Sequence, residues 1–534
     1  MIALVAATVI TVAGGCSGLL RVDPGEYQAT LDQIAVLDAL VALDSGVFVY
    51  TEGDSPQWVT SNFTVPVVAG DDVNVSWSST DESLVTVDNE GLATVTRPGP
   101  VWGTQVVGLV ATGTKGSATD SLEIPVTLIR SGTTSETILH ASDAEVNDNL
   151  GYSVAISGDY AIAGAPHANR ADGGPSVDGA GAVYFYHRSE TGWEEIDILH
   201  ASDAEENDNL GSSVAISGDY AVAGAPQEDG PGGDPDADIG AVYVYHRTGT
   251  SWEEVDILHA ADAQDDDNFG FSVAISGNYL IVGAPYEDGG AGDPAGDSGA
   301  AYVFERDEAG WSPIDPLHAT GATGGEQLGY DVSISGDTAI AGAPTKDSAA
   351  GTAHVFRRNA TGWEELDPLV ASDTHFADFF GWSVAISGDY LVCGAWNEAG
   401  GPGDPLTGSG AAYVFERLAT GWEEVDILHA SDAQGSDWFG WSVAIDGYHL
   451  IVGAYKESGG LGDPVPSAGA AYLFTRDAAG WSEGPILRAS DAQPGDQFGW
   501  SVAISGEYAL VGAYLEDGGD GDPVANSGAV YMLR

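Results

Sequence analysis

Carboxylates recur in this 534-residue chain at a spacing that can do chemistry. One set reads Asp-(Ala/Thr)-x-x-x-Asp-x-(Leu/Phe)-Gly and supplies the pairs Asp143 and Asp148, Asp203 and Asp208, Asp262 and Asp267, Asp373 and Asp378, Asp432 and Asp437, and Asp491 and Asp496. A second set follows in Gly-rich stretches: Glu228-Asp229 with Asp234, Glu287-Asp288 with Asp293, Glu398 with Asp404, Glu457 with Asp463, and Glu516-Asp517 with Asp522. Hard cations such as calcium or magnesium take oxygen ligands from several chain positions at once, and carboxylates converging from two loops supply them. An Asp at the start of a loop also caps turns by accepting nearby backbone N–H groups. Both readings stand at this level; the cation reading names Asp203, Asp208, Asp262, Asp267, Glu287, Asp288, Asp293, Asp432 and Asp437, with calcium as the candidate ion.

The second chemistry-bearing set is aromatic. The residue after each Phe/Leu-Gly is Tyr152, Ser212, Phe271, Tyr330, Trp382, Trp441 or Trp500, and Trp396, Tyr455 and Tyr514 stand where other copies carry the proline of Gly-Ala-Pro. Rings beside a rim of carboxylates are what sugar or peptide ligands stack on; packing between neighbouring units is the competing role. The later copies are the richest, with Trp438 in addition. Other recurring groups carry less. His140, His200, His259, His318 and His429 fall one per unit, too far apart to share a metal. Gly296-Asp297-Ser298-Gly299 looks superficially like a serine-protease motif, but Thr407-Gly-Ser-Gly410 and Ala525-Asn-Ser-Gly528 mark it as the approach to a strand. Trp-Glu-Glu, at Trp193, Trp252, Trp363 and Trp422, supplies so many carboxylates that no acid–base pair is singled out.

These residues are positioned by a repeat. Phe269 to Pro285, FGFSVAISGNYLIVGAP, has close copies beginning at Leu150, Leu210, Leu328, Phe380, Phe439 and Phe498, spaced 60, 59, 59, 52, 59 and 59 residues apart. A period of this size means a solenoid, a propeller or an array. Ser-Val-Ala-Ile-Ser is a strand, Gly-Asp or Gly-Asn a two-residue hairpin turn, and Tyr-Ala-Ile-Ala-Gly-Ala the returning strand. Gly-Ala-Val-Tyr-Phe-Tyr-His-Arg and Trp-Glu-Glu-Ile-Asp-Ile-Leu complete four antiparallel strands, one propeller blade. The last copy stops at Arg534 without its outer strand, while Ser135–Ala141 is an outer strand without a blade. The spacing therefore predicts a seven-bladed propeller over 131–534, closed by its N-terminal segment.

Phe-Gly-x-Ser-Val through Gly-Ala-Pro resembles the FG-GAP repeat, the unit of the integrin α-subunit propeller and of many bacterial surface proteins. The resemblance implies adhesion or ligand binding, often with calcium in the hairpin between the first two strands. Here that hairpin is only Ser157-Gly-Asp159 or its equivalents, too short to wrap a cation. Before the repeats, Gly53-Asp-Ser55, Val59-Thr60, Val73-Asn-Val-Ser-Trp-Ser-Ser and Val95-Thr-Arg-Pro resemble the atrophied bacterial immunoglobulin-like domain, which implies a small β-sandwich over 31–130. A helix-compatible stretch, Thr30–Leu43, opens it. The fold class is thus all-β: a seven-bladed propeller preceded by an immunoglobulin-like sandwich.

The chain has 16 basic residues against 81 acidic ones, for a net charge of −65, and its lysines are Lys115, Lys346 and Lys456 alone. Such a surface repels nucleic acid and anionic lipid and stays soluble in salt. With Cys16 and Cys393 as the two cysteines there is no disulfide framework; Cys393, in an apolar run, reads as a buried hydrophobe. Met1–Cys16 is an apolar run too short to span a bilayer, ending in Ala-Gly-Gly-Cys in the manner of a lipoprotein signal, with Cys16 as the lipidated residue and 17–30 as a tether. The expectation is a secreted, cell-surface protein anchored only through that lipid, binding an extracellular glycan or protein and not an enzyme. A polysaccharide lyase or hydrolase and a self-assembling surface-layer or filament subunit are the alternatives.

Overall fold

The computed structural model describes residues 48–51, the strands between 62 and 131, and residues 136–534 apart from the tips of several long loops and positions 315, 374, 478 and 479. Met1–Cys16 and the Thr30–Leu43 stretch lie outside the described residues. The chain divides into two units, Met1–Thr133 and Thr134–Arg534.

The first unit is a two-sheet β-structure. Strands β1 (Phe48–Thr51), β2 (Asn62–Thr64), β3 (Asn74–Ser79), β4 (Val85–Val87), β5 (Leu92–Val95), β6 (Thr104–Lys115) and β7 (Ala118–Ser131) form sheets of order β1-β7-β6-β3 and β2-β5-β4. The β6–β7 hairpin runs longer than the alternation of its apolar residues suggests, pairing Thr104 with Ile129 at one end and Lys115 with Ala118 at the other. Strand β1, which pattern alone does not announce, joins the sheet parallel to β7.

The second unit is the propeller. Seven four-stranded antiparallel sheets follow one another, the first built from Ser153–Ser157, Tyr160–Ala165, Ala182–Ser189 and Gly192–Leu199. Gly158 and its equivalents sit at φ near 60°, as a glycine-first hairpin turn requires. Blade seven contributes Ser501–Ser505, Tyr508–Ala513 and Ala529–Leu533 from the C-terminus and takes β8 (Glu136–Leu139) as its outer strand, with Val530 opposite Leu139 and Leu533 opposite Glu136. The predicted closure is therefore present. Strand β8 thereby covers the edge that Ala529–Leu533 would otherwise leave bare.

Two features hold the blades together. Side chains on both faces of the inner strands interdigitate with the next blade, as Ile162, Val183 and Phe185 of blade one do with Val214, Ala223 and Tyr243 of blade two. The glycine of each Gly-Ala meets the glycine of the next blade's Phe/Leu-Gly: a Cβ on Gly164 would lie 1.9 Å from the Gly211 oxygen, and one on Gly512 1.9 Å from that of Gly151. No other residue fits there, which explains both halves of the repeated motif. Cys393 is fully buried in this core, as expected. Among the described residues no helix is long and apolar enough to cross a membrane.

Candidate functional site: an aromatic face above buried carboxylates

The residues after Phe/Leu-Gly begin the innermost strands, and the propeller brings them into one ring. Centroid separations run Phe271–Tyr330 5.0 Å, Tyr330–Trp382 4.4 Å, Trp382–Trp441 4.8 Å, Trp441–Trp500 4.9 Å and Trp500–Tyr152 5.5 Å. Successive planes turn by 43–53°, close to a seventh of a revolution, so the rings follow the propeller's own rotation. Ser212 is the gap in the ring. These rings border a cavity of about 430 Å³ at one end of the central channel.

A second tier lies outside the first on blades five to seven. Trp396 packs against Trp382 at 5.7 Å, Tyr455 against Trp441 at 4.7 Å, and Tyr514 against Trp500 at 4.5 Å. The predicted ligand-binding residues are thus brought together. Most stay half-buried, while Tyr455 is 5% exposed and serves chiefly as support.

A third tier escaped the sequence reading in part. The residue before the recurring Phe or Leu has positive φ in every blade, and is Asn149, Asn209, Asn268, Gln327, Phe379, Trp438 or Gln497. Asn suits that left-handed conformation, and Asn149 and Asn268 use their amides on backbone carbonyls of the preceding blade, Tyr514 at 2.9 Å and Pro226 at 3.0 Å. In blades five and six aromatics stand there instead, at φ 59° and 62°. Phe379 stacks on Trp396 at 5.0 Å, and Trp438 meets Trp396 at 4.5 Å and lies parallel to Trp441 at 5.7 Å. A bulky residue in this conformation costs about 1–2 kcal/mol. The recurrence of Asn, which tolerates the left-handed conformation, at Asn149, Asn209 and Asn268 was the available signal.

The carboxylates form a belt beneath the loops. The second Asp of each pair caps its turn: Asp208 accepts from the Glu205 N–H at 2.6 Å, Asp267 from Gln264 at 2.7 Å and Asp437 from Gln434 at 2.6 Å. The first Asp takes a buried tyrosine hydroxyl, Asp203 from Tyr243, Asp262 from Tyr302 and Asp432 from Tyr472, at 2.8–3.0 Å. Glu287 is buried beside them, and Asp288 is exposed and accepts from the Asp297 N–H; Asp293 lies outside the described residues. Turn capping is therefore realised at every pair named. Among the described residues no group of three or more His, Cys, Asp or Glu is disposed to hold a metal ion.

Burial, more than neighbouring charge, raises these acids: Asp208, Asp267, Asp378, Asp437 and Asp496 to about 6, and Glu228 to about 7. Four of the five recurring histidines face buried glutamates, among them His259 3.7 Å from Glu228 and His429 3.9 Å from Glu398, while His200 meets the Gly181 carbonyl instead. Blade six has Arg488 at this position, bridging Asp432 at 2.8 Å and Glu457 at 3.2 Å. In blade four Lys346 pairs with Glu326 at 2.6 Å. The second glutamate of Trp-Glu-Glu is also structural: Glu195, Glu254 and Glu424 accept from Ser142, Ser202 and Ser372 across blade boundaries.

A seven-bladed propeller with one decorated, aromatic face defines the class of molecule. Seven segments match the FG-GAP repeat, residues 133–186, 193–245, 252–304, 311–356, 363–415, 422–474 and 481–533, and the chain belongs to that family. Residues 37–131 match the atrophied bacterial Ig domain. No curated protein matches the chain. Fold and family together are those of a ligand-binding, adhesion-type surface protein.

Proposed function

We propose that this is an exported, non-enzymatic adhesin-type protein that binds an extracellular glycan or protein on the aromatic face of blades five to seven. The observation that carries the reading is the concentration of half-buried rings on three adjacent blades, reaching from Phe379 to Tyr514. Packing alone does not need it, because blades one to three close their ring with Pro166, Pro226 and Pro285 where these blades use Trp396, Tyr455 and Tyr514. Changing Trp382, Trp441 and Trp500 together to Ala should weaken ligand capture more than tenfold, each ring contributing on the order of 1 kcal/mol beyond its area. A lower melting temperature with capture unchanged would reduce the rings to packing.

The display side of the proposal rests on Met1–Cys16, read as a lipoprotein-type signal with a lipid on Cys16. Cys16→Ser should move the protein from the membrane fraction to the soluble one; unaltered fractionation would remove the anchor.

A further inference from the structure

The same face carries one feature that the net charge makes unexpected. Lys456, one of three lysines in a chain with 81 acidic residues, forms no ion pair among the described residues. Its ammonium instead sits 3.2 Å from the centroid of Trp438 and 5.7 Å from that of Tyr455. Desolvation there pushes its pKa down from the usual lysine value. Lys346 and Arg488 show what a cation normally does in this molecule: each pairs with a buried carboxylate. The equivalent position in other blades is His167, Gln227, Tyr286, Thr345, Asn397 or Leu515, so the fold does not require a lysine.

Resting on the ligand-binding reading above, we infer that Trp396, Trp438 and Lys456 form a subsite for an acidic sugar residue, one bearing a carboxylate or sulfate ester. The rings offer a stacking surface for the apolar face of a pyranose. Phe379 and Trp438 are held there in a backbone conformation that costs energy and forgoes the inter-blade amide bond made by Asn149 and Asn268. Phe376, three residues before Phe379, is 79% exposed. Lys456 supplies the countercharge, and its ammonium can leave the indole face for a ligand anion without breaking an ion pair. The long-range field of the acidic molecule opposes such a ligand, but at 1 M salt the screening length falls to about 3 Å. Contact at Lys456 then survives while the repulsion does not.

The test is calorimetric and tryptophan-fluorescence titration of the full chain with an oligogalacturonate, a heparin fragment and cellohexaose, at 0.1 and 1 M salt. An acidic oligosaccharide should bind roughly tenfold tighter than the neutral one, and more tightly at the higher salt. Lys456→Gln, the blade-two residue, should abolish that preference and leave neutral binding in place. Trp438→Asn and Phe379→Asn, which restore residues the fold already accepts there, should weaken all binding about tenfold without lowering the melting temperature. Equal binding of all three probes, insensitive to Lys456→Gln, would overturn the acidic-sugar assignment while sparing the aromatic face. A basic peptide titrated alongside them and captured in place of any saccharide, more weakly as salt rises, would overturn it in favour of a protein partner. Binding of none of the probes would overturn the assignment outright; the triple tryptophan variant then decides the broader reading separately.

Discussion

At the scale of single residues the propeller is less symmetric than its repeats. Six blades place a serine at the start of the channel-lining strand, among them Ser153 and Ser213, whose hydroxyls accept from the Val214 and Val273 N–H groups of the next blade at 3.0 Å. Blade four has Asp331 instead, accepting from Val384 at 2.7 Å and from Val332 at 2.9 Å. It is the one ionisable carboxyl on the channel-mouth cavity, and burial raises it to about 7. Because the folded state holds its proton more tightly than the unfolded chain, this group costs stability above pH 7 and little below pH 4. Asp331→Ser should therefore raise stability at pH 8 by on the order of 1–3 kcal/mol and change it little at pH 4.5. Denaturant melts at both pH values check this; an equal effect at both would mean that hydrogen bonding, not charge, dominates.

At the scale of the loop and strand, the carboxylate belt makes the same argument several times over. Asp208, Asp267, Asp378, Asp437 and Asp496, raised to about 6, and Glu228, raised to about 7, keep protons in the folded state that the unfolded chain has lost. Their contribution is favourable at low pH and is lost as pH rises from about 4 through 7. The melting temperature should fall by several degrees between pH 5.5 and pH 8, and a scan across that range measures it. Blade six shows how the molecule offsets such charge, with the Arg488 guanidinium between Asp432 and Glu457. Placing the same residue at its equivalents, His259→Arg, His318→Arg and His429→Arg together, should flatten the decline. An unchanged slope would locate the pH dependence elsewhere.

At the scale of the whole molecule, closure is the structural decision on which the rest depends. Strand β8 is the only contribution of the N-terminal end to blade seven among the described residues, and Gly512 against Gly151 completes the circle of close glycine contacts. Deleting residues 131–142 leaves the edge of Ala529–Leu533 bare. It should lower the melting temperature by on the order of 5–10 °C and promote association through the bare strand. A melting temperature unchanged by the deletion would show that the ring does not need its fastener. The aromatic face depends on the same closure, since Tyr152 of blade one meets Trp500 and Tyr514 of blade seven only in a closed ring.

What could be read from the chain alone was whatever recurs: blade number, strand order, and the missing outer strand that announces closure. A period repeated seven times leaves few alternative folds, and an orphan outer strand before the first blade with an incomplete blade at the last leaves one way to join them. The ring of Tyr152, Phe271, Tyr330, Trp382, Trp441 and Trp500 was legible for the same reason. Strand β1, the length of the β6–β7 hairpin, the left-handed Phe379 and Trp438, and the placement of Lys456 were not. Each depends on which groups the folded chain brings within a few ångströms across different blades or sheets. Pattern assigns a residue to a face, but whether Lys456 meets a carboxylate or an indole is decided by packing, where contact energies fall off over the width of a single side chain.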